Sequence, residues 1–352
     1  MFDLNRGSSF TNDVIVVDGM WGTGKSILSS LVGSLRAVEK KRIDHLFEYL
    51  AIGVELGKIT QDFAQTVISI YADLDQYNNL IGREVNLRLN DDSGFRNTPG
   101  SFRYLRRLVG IEGEKVVDRI NAENLALLLV THHISAISRP LRDALGERLF
   151  MIEVIRHPLQ LVEYWTAYLE SYGRSREFTL SLTVQHSRVP WFAASWADEF
   201  VRMRPIDRAI RSIHEIRAMS FVNKPSHPAV GSSMVPPQHL VISFEHLVQQ
   251  TNAVMVQVAT FLGREPTRAT ARALRRQKVP RSLSSSGKAS NPLSWLPDKT
   301  LSYTEQLSEV RRNIATGASL ESQSLIDTLI ADYEIQLSVL TTELKLHVRL
   351  EE

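Results

Sequence analysis

Gly19-Met20-Trp21-Gly22-Thr23-Gly24-Lys25-Ser26 has the G-x-x-x-x-G-K-[ST] spacing of a loop that cradles phosphate. Glycines in such a loop let successive backbone N–H groups turn inward around an anion. The helix that follows aims its positive end at the same charge. Lys25 is placed to neutralise phosphate oxygens. The Ser26 hydroxyl is placed to hold Mg²⁺ if the nucleotide is ATP, and Asp18, directly before the loop, either joins it there or only caps the turn. Without a ligand, the same residues read as a glycine-rich strand-to-helix turn.

Three further groups have types suited to chemistry. His132, in Thr131-His132-His133, ends an apolar run and has the near-neutral imidazole that general base catalysis needs. A loop histidine bonded to backbone or water is the plain alternative. Arg156 also ends an apolar run. Its guanidinium suits a phosphate fork, or equally an ion pair that holds a helix start. The basic run from Arg268 to Lys278 reads either as a phosphate clamp or as a solvated helix face. No cluster of histidines with carboxylates is apparent, so no metal site is expected beyond Ser26 and Asp18 in the ATP case.

Strands and helices in alternation must position these groups. Val14 to Val17 precedes the glycine loop, Leu125 to Val130 precedes Thr131, Leu149 to Ile155 precedes Arg156, and His239 to Phe244 precedes Glu245. The expected architecture is α/β: a parallel sheet with helices on both faces, as in P-loop proteins. In such sheets ligands sit at the carboxyl ends of the strands. That places the loop, Thr131 to His133, Arg156 and Glu245 along one edge. The whole chain, 1–352, reads as one domain. Residues 35–122 form a largely helical insertion, and the segment 90–101 in it is turn-rich. Residues 225–237 read as a mobile loop and 279–292 as a flexible lid or linker. A helical pattern spans Trp196 to Met219, Leu180 to Val189 is ambiguous, and a long helix at 318–350 closes the chain. That last helix either packs on its own domain or mediates oligomerisation.

Composition narrows the field. The 352 residues carry a net charge of +2, so no global field calls for nucleic acid or a membrane surface. There is no cysteine, which excludes disulfides, a thiol nucleophile and thiolate metal sites. The start of the chain is polar, and no apolar run is long enough to span a bilayer, so a cytoplasmic protein is expected.

The order of these motifs resembles the sulfotransferase family, P-loop-related enzymes that use 3′-phosphoadenosine 5′-phosphosulfate. Thr131-His132 is similar to the family's Thr-His, whose histidine is the base in many members. FMIEVIRHPLQLVEYW, from Phe150 to Trp165, resembles the strand–Arg-x-Pro–helix that holds the donor's 3′-phosphate. ISFEHLVQQTNAVMVQVATFLG, from Ile242 to Gly263, resembles the family's strand, acidic turn and helix. Asp332-Tyr333-Glu334, with the apolar periodicity that runs to Leu340, is similar to its closing helix. The resemblance implies sulfuryl transfer to a hydroxyl of a small molecule or glycan. His132 and Lys25 would be catalytic, and Gly19, Gly22, Thr23, Gly24, Lys25, Ser26, Arg156 and Arg281 would bind the donor. Arg281 opens the stretch to Lys288 that stands closest to the family's terminal 3′-phosphate motif. The loop departs from the family. Lys25 and Ser26 stand where it has two threonines, Met20 or Trp21 stands near its usual lysine, and Tyr164 replaces its serine after the arginine. The Lys25-Ser26 pair is the kinase form, so an ATP–Mg²⁺ small-molecule or glycan kinase is the alternative. A non-enzymatic nucleotide-binding protein is the third reading.

Overall fold

The computed structural model describes residues 4–7, 9–83, 85–88, 94, 101–107, 109–110, 113–173, 177–222, 238–283 and 301–349. The expected loop at 225–237, most of the one at 90–101, and the 284–292 part of the expected lid lie outside these residues.

The first strand, β1 (Val14–Asp18), is followed by α1 (Lys25–Val32), the two-residue β2 (Arg42–Ile43), α2 (His45–Glu55) and α3 (Gln61–Leu80). Two shorter helices, α4 (Ser101–Arg107) and α5 (Glu114–Glu123), lead to β3 (Leu127–Val130), α6 (Arg139–Leu145), β4 (Leu149–Ile155) and α7 (Leu159–Glu170). The order of the sheet is β2-β3-β1-β4-β7, with β7 at Gln238–Ser243, and every pairing is parallel. Val14 pairs with Leu127 on one side and Leu149 on the other, so β1 is central.

The apolar strands carry side chains to both faces with period two. Val14, Val16, Leu127, Leu129 and Met151 pack with Phe47 of α2, Ile68 of α3, Leu141 of α6 and Trp165 of α7. Ile15, Val17, Leu128, Ile152 and Val154 face the other way, onto Leu28 and Leu31 of α1. A sheet covered on both sides leaves only its strand ends for a ligand.

The ambiguous stretch at Leu180 to Val189 is an antiparallel hairpin, β5 (Ser181–Val184) and β6 (Ser187–Pro190). The long helical pattern expected from Trp196 to Met219 is two helices, α8 (Ala197–Arg202) and α9 (Pro205–Val222). Pro205 lacks the N–H that would continue the first helix, and Met203 turns extended. After β7 come α10 (Phe244–Gln249), α11 (Thr251–Leu262), α12 (Arg268–Gln277), α13 (Tyr303–Gly317) and α14 (Leu320–Arg349). Leu329, Tyr333, Leu340 and Leu344 of α14 are buried against its own chain. No helix among the described residues is long and apolar enough to cross a membrane.

Candidate functional site

The loop between β1 and α1 closes tightly on its neighbours. Gly19 has φ +141°, and a Cβ there would lie 2.3 Å from the Val154 carbonyl oxygen. Gly24 has φ +95°, and a Cβ there would lie 2.5 Å from the Phe244 ring. Glycine is required at both positions by backbone conformation and by space. Gly19→Ala is therefore expected to destabilise the fold by at least ~2 kcal/mol. The midpoint of urea unfolding checks this, and an unchanged midpoint would mean the loop does not press on β4.

Lys25 is the first residue of α1, and its side chain is 6% exposed. Its ammonium donates to the carbonyls of Gly19 at 2.6 Å and Met20 at 2.8 Å. Burial lowers its pKa to about 8, against the opposing pull of Asp18 and Glu48. Thr23 is buried and donates its hydroxyl to the Met20 carbonyl at 2.8 Å, so this side chain braces the loop. Ser26 is exposed in the first turn of α1. Asp18 is fully buried. It accepts from the Thr131 hydroxyl at 2.8 Å and from the Ser135 amide and hydroxyl at 2.7 and 2.6 Å. These three bonds occupy both carboxylate oxygens and tie the end of β1 to the segment after β3.

Beyond β4, the Arg156 guanidinium donates to the Gly22 carbonyl at 2.8 Å and to Gln160 at 3.1 Å. Its carbon lies 4.1 Å from the centre of the Phe244 ring, the ring that packs on Gly24. Burial lowers its pKa, and Glu245 opposes that shift. Arg281 donates to the carbonyls of Gln277 at 3.0 Å and Lys278 at 3.2 Å. Burial and then the charge of Arg156 hold its own pKa down. Two guanidinium groups from distant parts of the sequence thus stand within electrostatic reach of one another, and Arg156 of the pair touches the loop. Glu245 accepts from Tyr303 at 3.1 Å and from Tyr333, and it also takes the His157 amide at 3.2 Å. It joins α13 and α14 to the sheet edge. The basic residues Arg268, Arg272 and Arg275 of α12 are exposed, consistent with a solvated face.

At the tip of β3, His132 is held by Glu48 of α2. The same carboxylate oxygen accepts the His132 amide and its Nδ1–H, each at 3.0 Å. That arrangement leaves Nε2 as the nitrogen with a free lone pair. Burial and the Lys25 charge lower the His132 pKa, while Glu48 raises it. Burial pushes the Glu48 carboxyl up, but the bonds from His132 and His45 outweigh it and hold the group low. The second oxygen of Glu48 meets His45 Nδ1 at 3.1 Å, and this bond raises the His45 pKa. His133 turns away through a left-handed φ of +61°. It packs edge-on to Trp21 with ring centres 4.3 Å apart. Burial drives its pKa well down, and neither ring nitrogen has a hydrogen-bond partner among the described residues.

The strand ends therefore bring together Lys25, His132, Arg156 and Glu245, the groups that the strand order put on one edge. Sequence reasoning passed over Glu48 and His45. Their only signal was the one-turn His-x-x-Glu spacing at the start of α2.

No protein-family model matches the chain, and no curated protein matches it in sequence. Among solved structures it is similar to the sulfotransferase domain of the Synechococcus PCC 7002 olefin synthase, at 15% identity with a TM-score of 0.44. That match covers 95% of this chain and 98% of the other. It is similar to the sulfotransferase domain from the curacin biosynthetic pathway at 12% identity and a TM-score of 0.43, covering 91% and 98%. A sulfotransferase from Mycobacterium avium matches at 12% identity and a TM-score of 0.37, covering 88% of this chain and 78% of that one.

Proposed function

We propose that the chain is a group transferase that moves a sulfuryl group from 3′-phosphoadenosine 5′-phosphosulfate to a hydroxyl of a small molecule or glycan. The observation that carries this reading is Arg156, which bonds to the loop at Gly22 while its charge reaches Arg281. A nucleoside triphosphate needs its cations along one phosphate chain. A donor with a separate 3′-phosphate needs a second cationic station, and Arg156, bonded to the loop carbonyl of Gly22, with Arg281 within reach of its charge would supply one. Such a donor would supply the sulfuryl group and depart as the bisphosphate.

The chain's own groups have distinct tasks. The loop amides and the α1 N-terminus bind the 5′-phosphate. Lys25 offsets charge that builds on the oxygen of the leaving side. Arg156 and Arg281 bind the 3′-phosphate and so fix the register. Nε2 of His132 takes the proton of the acceptor hydroxyl as that oxygen attacks, and Glu48 holds the imidazole in the tautomer that can do so. Proximity and charge stabilisation carry most of the rate, so few side chains suffice.

The Lys25-Ser26 pair favours a second reading, an ATP–Mg²⁺ kinase. The carboxylate beside the loop argues against it: Asp18 is engaged by Thr131, which follows β3, and by Ser135. Calorimetry separates the two. Metal-independent binding of 3′-phosphoadenosine 5′-phosphate, stronger than binding of ATP–Mg²⁺, is expected. Magnesium-dependent ATP binding with no response to the bisphosphate would turn the assignment to the kinase.

A further inference from the structure

One nitrogen from each of His45 and His132 and one oxygen of Glu48 lie within 4.8 Å of one another. Two of these residues stand one helical turn apart at the start of α2, and the third comes from the tip of β3. The two imidazole rings are nearly parallel, at 21°, with centres 5.9 Å apart. Each presents Nδ1 to a different oxygen of the same carboxylate, at 3.1 and 3.0 Å.

We propose that His45, Glu48 and His132 form a binding site for a divalent transition metal, with zinc the best match. Two imidazole nitrogens and one carboxylate oxygen are a borderline-soft donor set that suits zinc; calcium and magnesium call for oxygens throughout. In a tetrahedral zinc site with bonds of ~2.1 Å, neighbouring ligand atoms lie about 3.4 Å apart. The 3.1 and 3.0 Å contacts are to different oxygens of Glu48. Around one oxygen the three ligand atoms, within 4.8 Å of one another, need to draw together by at most about 1.4 Å to reach that spacing. The frame is already fixed. Asp44 caps α2 through the Leu46 amide, and Phe47, Leu50 and Ala51 bury the opposite side of the helix. Access exists too, since the His45 side chain is 37% exposed. Lys25 is a nearby charge that opposes a cation at His132, and its ammonium is engaged with Gly19 and Met20. Three protein ligands leave a coordination position open to water.

The site stands on these three side chains and not on the transfer reaction. One consequence does rest on that reaction. A metal on Nδ1 of His132 leaves the ring's single proton on Nε2, which removes the lone pair needed to accept the acceptor's proton. The metal-loaded chain is then inactive, and metal is an inhibitor.

The test uses the full chain without a histidine tag, stripped with chelator and titrated with Co²⁺ and then Zn²⁺. Expected are saturation at one equivalent, visible ligand-field absorption typical of four-coordinate cobalt, its loss as Zn²⁺ displaces Co²⁺, and a higher Tm with Zn²⁺. His45→Ala and Glu48→Gln should each bind at least ~100-fold more weakly, with circular dichroism confirming that they fold. Absence of saturable binding by the unaltered chain overturns the site. So does an unchanged titration in both variants. One-equivalent binding with undiminished turnover would uphold the site and instead remove His132 from the role of base.

Discussion

Lys25→Met should weaken binding of 3′-phosphoadenosine 5′-phosphate by at least ~100-fold, about 2.7 kcal/mol, because it deletes charge-assisted hydrogen bonds to phosphate. Its effect on folding should have the opposite sign. Burial moves the pKa of this lysine from 10.5 to about 8, so the folded chain disfavours the charged form relative to the unfolded one. Below pH 8 that preference costs stability, on the order of 3 kcal/mol. The cost fades as pH rises from about 8 to 10.5, where the lysine is neutral in the folded state. Removing the ammonium relieves it, offset in part by two loop carbonyls that lose their donor. At pH 7 the variant should unfold at the same temperature or higher while binding fails. The same pKa sets a pH dependence. Phosphate favours the charged lysine, so affinity should fall as pH rises through about 8, and in the variant that slope should vanish. Calorimetry across pH 6–10, beside thermal melts, reads all three effects. A variant that loses stability and binding together would make Lys25 a structural brace only.

Why the lysine was visible in the sequence, and its neighbour Glu48 was not, follows from how each is held. The glycine loop is local: a strand, three glycines at positive φ and a helix start all lie within twenty residues, so spacing alone exposes them. Leu149–Ile155 is equally legible, because a strand buried on both faces must be apolar at every step except Glu153. Strand order then brought Arg156 and Thr131 to the same edge without any tertiary information. Glu48 meets His132 across 84 positions of sequence. On its own it is a carboxylate in the first turn of an ordinary helix, and apart from His45 one turn before it nothing nearby in sequence distinguishes it from a dipole-favoured surface residue. Asp18 shows the converse. Its position before the loop suggested an ion ligand, but Thr131 and Ser135 satisfy it, and those contacts form only once β1 and β3 pair. At α13 a local signal was there and unused: Ser302 and Glu305 make the reciprocal capping box that S-x-x-E foretells. The hairpin at Ser181–Pro190 was ambiguous because its strands are four residues each, too short for alternation to separate them from loop.

His132→Ala should leave bisphosphate affinity within tenfold, ~1.4 kcal/mol. It should lower kcat by about 10²–10⁴, the usual worth of a positioned base. The split matters because His132 and Lys25 feel each other's charge, so an indirect effect on the loop would reduce binding and turnover together. The pH profile gives a further discrimination. A base works deprotonated, so kcat should rise with pH through the His132 pKa. Burial and Lys25 set that limb below 6.5 even though Glu48 pulls the other way. Glu48→Gln keeps the shape and removes the negative charge. The imidazole then loses its stabilising partner when protonated, and the acid limb must move to still lower pH. The plateau should also fall, since an amide can present its own N–H to Nδ1 and hold the wrong tautomer. A carboxylate that merely braced the fold would lower the plateau and leave the limb in place. A limb that stays put in Glu48→Gln would assign the ionisation to another group, and full turnover in His132→Ala would end the base assignment altogether.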